Sequence, residues 1–305
     1  MTSLRARWEA YWFRPAPLLD LAICRVSVSA FLLVMTVVPW LVLTVPPWTR
    51  HAEFAALPDS MYDPILLLRA LTAPFGEEYR PTLLHLRIAH GVAIAAAASS
   101  LVGFFTRTSL AALFVSFTFV VGHSHSYGEF HHVETMPAIL VLLLACAPSG
   151  AVLSLDARRR PESRRLPLDA TDPHARWPRL VMTWVLAMGY LSAALSKMLG
   201  SGVEWLNGTT LQRYLMVNAL YWDRPLGVWF AEQFALVKAL GWFTIAFEAT
   251  FLLVLFRPRL GPLFALVGTA FHLGIWFTMK APFFAYLPCY AVLVPWSRWL
   301  LRRTA

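Results

Sequence analysis

Long apolar runs recur along this chain from one end to the other, and they restrict the folds that it can adopt. Hydrophobic residues make up 58% of the sequence and charged residues 14%, whereas a soluble domain carries about 25% charged residues. A helix that crosses the hydrocarbon layer needs about 20 residues, and it satisfies its own backbone hydrogen bonds where water is absent. The sequence therefore predicts an all-α, polytopic transmembrane helical bundle of about eight spans, at roughly 17–44, 82–104, 108–122, 133–148, 177–199, 228–255, 261–280 and 282–300.

Two shorter segments lie between the predicted spans. Residues 65–68 form a brief apolar run in the long 46–81 loop, where Arg69 interrupts it. In 205–218 the apolar side chains are spaced for one face of a helix. We expect both segments to form interfacial helices in the outer loops. No repeat, low-complexity tract or linker is evident, so the sequence predicts a single domain, 1–305.

The positive charge is concentrated in alternate loops. The formal net charge is +9, and seven arginines fall within Arg158–Arg179, between two apolar segments. Cytoplasmic loops of membrane proteins carry an excess of lysine and arginine. The pattern predicts a multi-pass protein of the cell membrane with both termini inside (N-in/C-in). No basic face interleaved with aromatic residues is evident, so we expect the lipid bilayer, and not nucleic acid, as its partner.

With this orientation, eight of the nine histidines lie on the outer side. His85 and His90 fall in the outer half of the second span, and His272 lies past the middle of the seventh. His131 and His132 lie in the outer connection between the third and fourth spans. Ionisable groups inside a membrane are costly and are commonly functional. We therefore expect a polar cavity that opens to the outside.

That outer connection also holds the densest group of potential metal ligands, His123-x-His125 and Glu129-Phe-His131-His132. Histidine and carboxylate side chains could bind zinc, iron or copper. However, the spacing matches no strong metal signature, and a wet interfacial loop would also be rich in such residues. We expect acid–base or hydrogen-bonding roles here and no bound metal. The three cysteines show no metal or redox spacing.

Lys197 is one of only three lysines, and it lies at the end of the apolar run Trp177–Leu199. One interpretation is a lysine that extends from a helix end to reach water. The other is a lysine that faces a cleft, since Gly189 and Ala193 lie on the same helix stripe and let a ligand or helix approach closely. An amine kept away from water releases its proton more readily. The second interpretation therefore makes Lys197 a candidate general base.

Two further charged residues, Glu248 and Arg25, lie inside predicted spans. Both fall in the inner half of the predicted bundle, so we expect them to pair with each other. His272 either satisfies a buried partner or takes part in a site.

Short motifs follow one another in a fixed order over nearly the whole chain. They are Phe13-Arg-Pro15 with Arg25, Leu101-Val-Gly-Phe-Phe-Thr-Arg107, His131-His132, Ala147-Pro148, Ser154-Leu-Asp156, Tyr190…Ala193-Ala-Leu-Ser-Lys197, Trp205-Leu-Asn-Gly208, Glu248 and Phe271-His272…Phe284. In this ordered set the chain resembles the HTTM family, which includes the membrane domain of vitamin K-dependent gamma-carboxylase. Each motif is weak alone, and the ordered set is specific.

The resemblance implies a chemistry for these residues. In the carboxylase, a lysine in the matching segment is regarded as the base that deprotonates vitamin K hydroquinone, and Lys197 would take that role here. His131, His132 and His272 would be catalytic groups that support it as acids, bases or orienting residues. The implied cofactors are a reduced naphthoquinone (vitamin K hydroquinone or menaquinol), O2 and CO2.

The expected cofactor contacts are Tyr190, Ala193 and Trp205, with His85 and His90 of the second span. The chain departs from the family at Ala194, where glycine is usual, and it ends at residue 305. We therefore expect it to lack the large C-terminal lumenal domain of the carboxylase.

We expect a vitamin K-dependent gamma-carboxylase-like enzyme of a bacterial inner membrane. It would carry out a quinol-linked oxidation or carboxylation of a secreted peptide at the periplasmic face, with an accessory protein that docks the substrate. One alternative is a non-catalytic membrane subunit of a peptide-maturation or export complex. Another is a small-solute transporter, although no inverted repeat is evident.

Overall fold

A computed structural model describes residues 3–37, 56–76, 79–128, 132–201 and 203–301. The described residues form helices and one two-stranded antiparallel pairing, of Ala16–Pro17 with Thr171–Asp172. The prediction of an all-α fold is confirmed. The α-helices are α1 (Leu4–Phe13), α2 (Leu18–Val37), α3 (Leu66–Thr72), α4 (Leu83–Val102), α5 (Thr106–His125), α6 (Thr135–Ala145), α7 (Leu155–Arg158), α8 (Trp177–Ser196), α9 (Val203–Leu206), α10 (Thr209–Tyr221), α11 (Pro225–Glu232), α12 (Phe234–Thr250), α13 (Leu253–Phe256), α14 (Gly261–Met279) and α15 (Trp296–Leu300).

Several short helices of other types connect these elements. Helix α8 continues into a π-helical turn, Lys197–Ser201. The remaining short helices are 3₁₀ helices, at Asp59–Met61, Ala73–Phe75, His132–Glu134, Glu162–Arg164, Pro173–Ala175, Pro258–Leu260 and Phe283–Leu293.

The chain forms two compact units. The first comprises Met1–Arg179 with Pro295–Ala305, and the second comprises Leu180–Val294. The boundary falls within the first turn of α8.

Six helical segments of the described chain are long and apolar enough to cross a membrane, and each corresponds to a predicted span. The predicted spans 133–148 and 282–300 instead contain shorter apolar helices, Thr135–Ala145 and Phe283–Leu293. Pro288 lies inside the second of these, which adopts the 3₁₀ form, as expected where proline removes a backbone donor. The two predicted interfacial segments are helical, as α3 and α10. The six long segments are Leu18–Val37, Leu83–Val102, Thr106–His125, Pro173–Gly200, Phe234–Phe256 and Pro258–Met279.

In the first unit, buried polar side chains fix the positions of the helix ends. Arg25 on α2 is fully buried, and its guanidinium donates to the carbonyl oxygens of Ser149 (2.8 Å) and Leu153 (2.5 Å). Asp20, one turn earlier and also buried, accepts from Arg179 Nη1 (2.5 Å) and from the backbone N–H of Ser297 (2.7 Å). Because a buried polar group without a partner is strongly unfavourable, these bonds tie α15 and the segment after α6 to α2.

The turn between α4 and α5 shows how the first unit forms a helical hairpin. Gly103 ends α4 with a φ of 72°, and a Cβ at this position would lie 2.3 Å from the Ser154 Cβ. Asp156 accepts hydrogen bonds from the N–H groups of Phe105 (2.9 Å) and Thr106 (2.7 Å) and from the Thr106 hydroxyl (2.7 Å). The carboxylate therefore caps the first turn of α5, where backbone donors lack partners inside the helix. Partial burial opposes ionisation of Asp156, but these hydrogen bonds outweigh it and hold the pKa of the carboxyl below its ordinary value.

The Asp156 cap makes stability dependent on pH in a defined direction. Asp156→Asn should lower the stability at neutral pH by about 1 kcal/mol, the usual effect of losing a helix cap. Because the folded-state pKa is depressed, the stabilisation is complete above the ordinary aspartate pKa and is lost as the pH falls through the folded-state pKa. The Tm values of the two proteins, measured by scanning fluorimetry in detergent, should therefore converge in acid.

Asp169→Asn is the matched control, because Asp169 is exposed in the same loop region. It should change the Tm little at any pH. A Tm difference between Asp156→Asn and the parent protein that stays constant down to strongly acidic pH would contradict the capping role.

Candidate functional site

In the second unit, Lys197 forms an ion pair with Glu248. Lys197 begins the π-helical turn after α8, and Glu248 lies on α12. The ammonium donates to both carboxylate oxygens, at 2.7 Å to Oε1 and 2.8 Å to Oε2. The Glu248 side chain is 6% exposed and the Lys197 side chain 19%. The Lys197 Nζ also lies 5.3 Å from the centre of the Trp205 ring, within the range of a cation–π contact.

The prediction that Glu248 pairs with Arg25 is wrong. Glu248 accepts both of its short hydrogen bonds from Lys197, and Arg25 donates to two carbonyl groups within the first unit. The planar fork of an arginine presents several donors in a fixed arrangement, and here two of its nitrogens each reach a carbonyl oxygen.

Three buried side chains form a hydrogen-bonded group within the same unit. The Tyr190 hydroxyl lies 2.7 Å from His272 Nε2 and is also hydrogen-bonded to the Tyr290 hydroxyl. The exposed fractions are 5% for Tyr190, 3% for His272 and 2% for Tyr290. Gly268, one turn before His272 on α14, allows this approach, because a Cβ there would lie 2.7 Å from the Tyr290 ring. Among the residues that the structure describes, His272 Nδ1 has no hydrogen-bond partner.

Aromatic rings connect the tyrosine–histidine group to the helix that carries Glu248. The Tyr190 ring stacks on Phe251, with centroids 4.3 Å apart, and meets Phe247 edge-on at 5.3 Å. Phe247 lies beside Glu248 on α12, and Phe251 caps the end of this helix. Tyr190 on α8 and Lys197, the first residue after this helix, are seven residues apart, about two helical turns, so both lie on the same side of the helical segment. Helices α8, α12 and α14 therefore hold an ion pair next to a buried hydrogen-bonded group.

The structure brings together five of the predicted site residues, all in the second unit. Lys197, Tyr190 and His272 lie in the arrangement above, and Trp205 lies against Lys197. Ala193, half-buried, lies on α8 between Tyr190 and Lys197. Their catalytic and cofactor-binding roles stay predictions.

The remaining predicted site residues belong to the first unit. His85 caps α4: its Nδ1 accepts from the Thr82 N–H (3.2 Å) and lies 3.0 Å from the Tyr79 hydroxyl. His90 Nε2 lies 3.0 Å from the Thr36 carbonyl oxygen. These contacts give both histidines a structural role. His132 begins the turn His132–Glu134, and the structure describes its backbone but not its side chain. His131 lies outside the described residues.

The other histidines of the predicted donor cluster are buried at the end of α5. His123 packs against the rings of Tyr62 (5.5 Å) and Tyr127 (5.3 Å), and His125 Nε2 lies 3.9 Å from Glu134 Oε2. Within the described ranges, no group of three or more histidine, cysteine or acidic side chains is placed to hold a metal ion. Glu129 and His131 are not among the described residues.

The sequence did not predict the role of two residues in this site, Glu248 and Tyr290. Glu248 was singled out, but not as the partner of Lys197, although an acid and a base inside separate apolar segments are a signal for a pair. Tyr290 gave no signal, because a tyrosine within the apolar run Phe283–Leu293 looks like an ordinary packing residue. Its contact depends on the space left by Gly268, which the linear sequence does not show.

These features define a helical membrane protein with a charged and hydrogen-bonded group among its apolar helices. A family model described as the HTTM domain matches residues 77–297. The match covers more than half of the chain, and the protein belongs to the HTTM family, as its motifs predicted. It includes Tyr190, Lys197, Glu248 and His272. No curated protein and no solved structure matches the chain.

The ion pair should make a large contribution that depends on both partners. Glu248→Gln should destabilise the protein by about 3 kcal/mol, because it leaves the Lys197 ammonium without its counter-charge among apolar helices. Replacing both residues, as Lys197→Met with Glu248→Met, should recover most of that loss, since no charge then remains to be paired. Unfolding in detergent, followed for the single and double variants, measures the coupling.

Glu232→Gln serves as the control for removing one acid, because Glu232 is exposed at the end of α11. Additive effects of the two methionine substitutions, with no recovery in the double variant, would show that the two side chains act independently.

Proposed function

We propose that this HTTM protein is an integral membrane enzyme of the vitamin K-dependent gamma-carboxylase-like class. It would use a reduced naphthoquinone, O2 and CO2 to modify a secreted peptide at the outer face of the membrane, with an accessory protein presenting the peptide. The observation that carries the proposal is the Lys197–Glu248 ion pair, which lies beside the buried Tyr190–His272 group within the segment that matches the HTTM model.

The residues around Lys197 suit a flat, hydroxylated aromatic molecule. An ammonium has three N–H donors, and two of those of Lys197 are directed at Glu248. The third is left to an oxygen of a ligand, and the side chain keeps 19% of its surface exposed. The Trp205 ring offers an apolar, planar contact on the same side. When bound, a reduced naphthoquinone would supply the electrons for O2 and the strong base that carboxylation of a glutamate requires.

The ion pair changes what Lys197 can do as a base. An ammonium has no lone pair, so Lys197 can take a proton from a ligand hydroxyl only after passing one to Glu248. The 2.7 Å hydrogen bond between Nζ and Oε1 provides that route. After both transfers the lysine is an ammonium again, Glu248 is a carboxylic acid, and the ligand has lost one proton. In this proposal Lys197 contacts the ligand and Glu248 stores the proton.

The buried Tyr190–His272–Tyr290 group has a supporting part in the proposal. Two hydrogen bonds fix the Tyr190 hydroxyl, and stacking on Phe251 fixes its ring. A side chain held in this way can orient a neighbouring ligand without reorganising when it reacts. His272 would act as the residue that positions Tyr190.

Turnover of the purified protein tests the proposal. In nanodiscs containing reduced menaquinone, the parent protein should consume O2 and oxidise the quinol, while Lys197→Ala should lose about a hundredfold or more of this rate, as expected for loss of an acid–base group. Lys238→Ala, which removes an exposed lysine from α12, should leave the rate unchanged. The Tm of each variant checks that it is folded.

A Lys197→Ala protein with full quinol turnover would remove Lys197 from the chemistry. Absence of turnover in the parent protein, with quinol, O2 and labelled CO2 all present together with a co-expressed secreted peptide, would favour the non-catalytic subunit instead.

A further inference from the structure

A second candidate site lies in the first unit, at the turn between α4 and α5. A cavity of about 490 Å³ lies between the start of α5, the segment that follows α6, and the end of α7. Its lining includes two arginines, Arg107 and Arg160, and a threonine, Thr108. None of these three residues belongs to the site around Lys197.

The level of this cavity in the membrane follows from the two helices that meet at the turn. Helices α4 and α5 are each 20 residues long, both are candidate membrane spans, and three residues separate them. The turn between two such helices lies where the hydrocarbon layer ends and the phospholipid headgroups begin. Phe105, in this turn, is 60% exposed beside the cavity. An exposed aromatic side chain at this level is suited to contact with an acyl chain.

The charge of the lining favours an anion. The carboxylate that lines the cavity is Asp156, and both of its oxygens already accept hydrogen bonds from Phe105 and Thr106. Within the described part of the chain, neither Arg107 nor Arg160 forms a salt bridge, and Arg160 is half-buried. Two arginines and one acid give the lining one net positive charge, which matches the single negative charge of a phosphodiester.

The donors at the cavity are also of the kinds that phosphate recognition uses. Guanidinium groups bind phosphate oxygens through two parallel hydrogen bonds. The first turn of α5 carries the backbone N–H groups of Arg107 and Thr108, which have no acceptor within the helix. The start of α5 packs closely against the segment after α6, since a Cβ on Gly150 would lie 2.3 Å from the Thr106 hydroxyl oxygen. A close-packed wall reduces the ordering that binding requires.

We propose that this cavity binds the phosphodiester headgroup of an anionic phospholipid, with Arg107 and Arg160 on the phosphate and Phe105 against an acyl chain. The site is separate from the proposed chemistry at Lys197. It would fix the α4–α5 hairpin to the membrane surface through one bound lipid.

Native mass spectrometry of the protein in mild detergent tests this site, with phosphatidylglycerol or phosphatidylcholine added in increasing amounts. The parent protein should retain one phosphatidylglycerol in preference to phosphatidylcholine. The double variant Arg107→Gln/Arg160→Gln should lose about tenfold or more of its phosphatidylglycerol affinity, because two charge-assisted contacts are removed. The matched control is Arg158→Gln/Arg164→Gln, which removes two charges from exposed arginines of the same region, and it should bind as the parent does.

Three outcomes would overturn the assignment. An equal loss of phosphatidylglycerol affinity in the control variant would show that the lipid is attracted by general surface charge. Equal retention of phosphatidylcholine would show that the headgroup charge is not recognised. Competition by inorganic phosphate as strong as that by the lipid would assign the cavity to a free phosphate ion. Arg107→Lys/Arg160→Lys, which keeps both charges but loses the forked geometry, should give an intermediate affinity, and the lipid-free Tm of every variant checks folding.

Discussion

The constraint on which this structure depends is that a charge among apolar helices must find its partner within the protein, because hydrocarbon supplies none. Lys197 and Glu248 meet this constraint as an ion pair, and Arg25 meets it through two backbone carbonyls. Asp20 meets it with Arg179 and a backbone N–H. In each case the partner lies on another segment, so satisfying the charge also fixes how the segments pack. The polar residues of this protein therefore determine its tertiary structure as much as its apolar ones do.

The sequence was a good guide to the helices and a weaker guide to their partners. Length and hydropathy located the long helices, since a span of about 20 apolar residues has few alternatives. The segment at Phe283–Leu293 looked like part of a span, but it contains Pro288 and forms a 3₁₀ helix of 11 residues. Lys197 was recognisable because a charge in an apolar run is conspicuous. Its pairing with Glu248 was not, because pairing depends on which helices become neighbours.

The motifs that relate this chain to the HTTM family have two different physical roles. Gly103 and Asp156 lie at helix ends, where they allow close approach and satisfy backbone groups, and Arg25, within α2, donates to backbone carbonyls of the segment after α6. Tyr190, Lys197 and His272 lie among apolar helices and form hydrogen bonds between side chains, Tyr190 with His272 and Lys197 with Glu248. Resemblance through the first group shows a shared architecture. Resemblance through the second group is the part that bears on chemistry, which is why the function is proposed from those residues.

The pairing of Lys197 with Glu248 also determines how a voltage across the membrane acts on these two charges. A single charge that crosses the full potential difference gains or loses about 2.3 kcal/mol for every 100 mV. A lysine and a glutamate held 2.7 Å apart carry opposite charges at almost the same depth, so the field exerts nearly equal and opposite forces on them. The pair can therefore lie inside the membrane of an energised cell without being displaced by the field, and a proton exchanged between its two members does no appreciable electrical work.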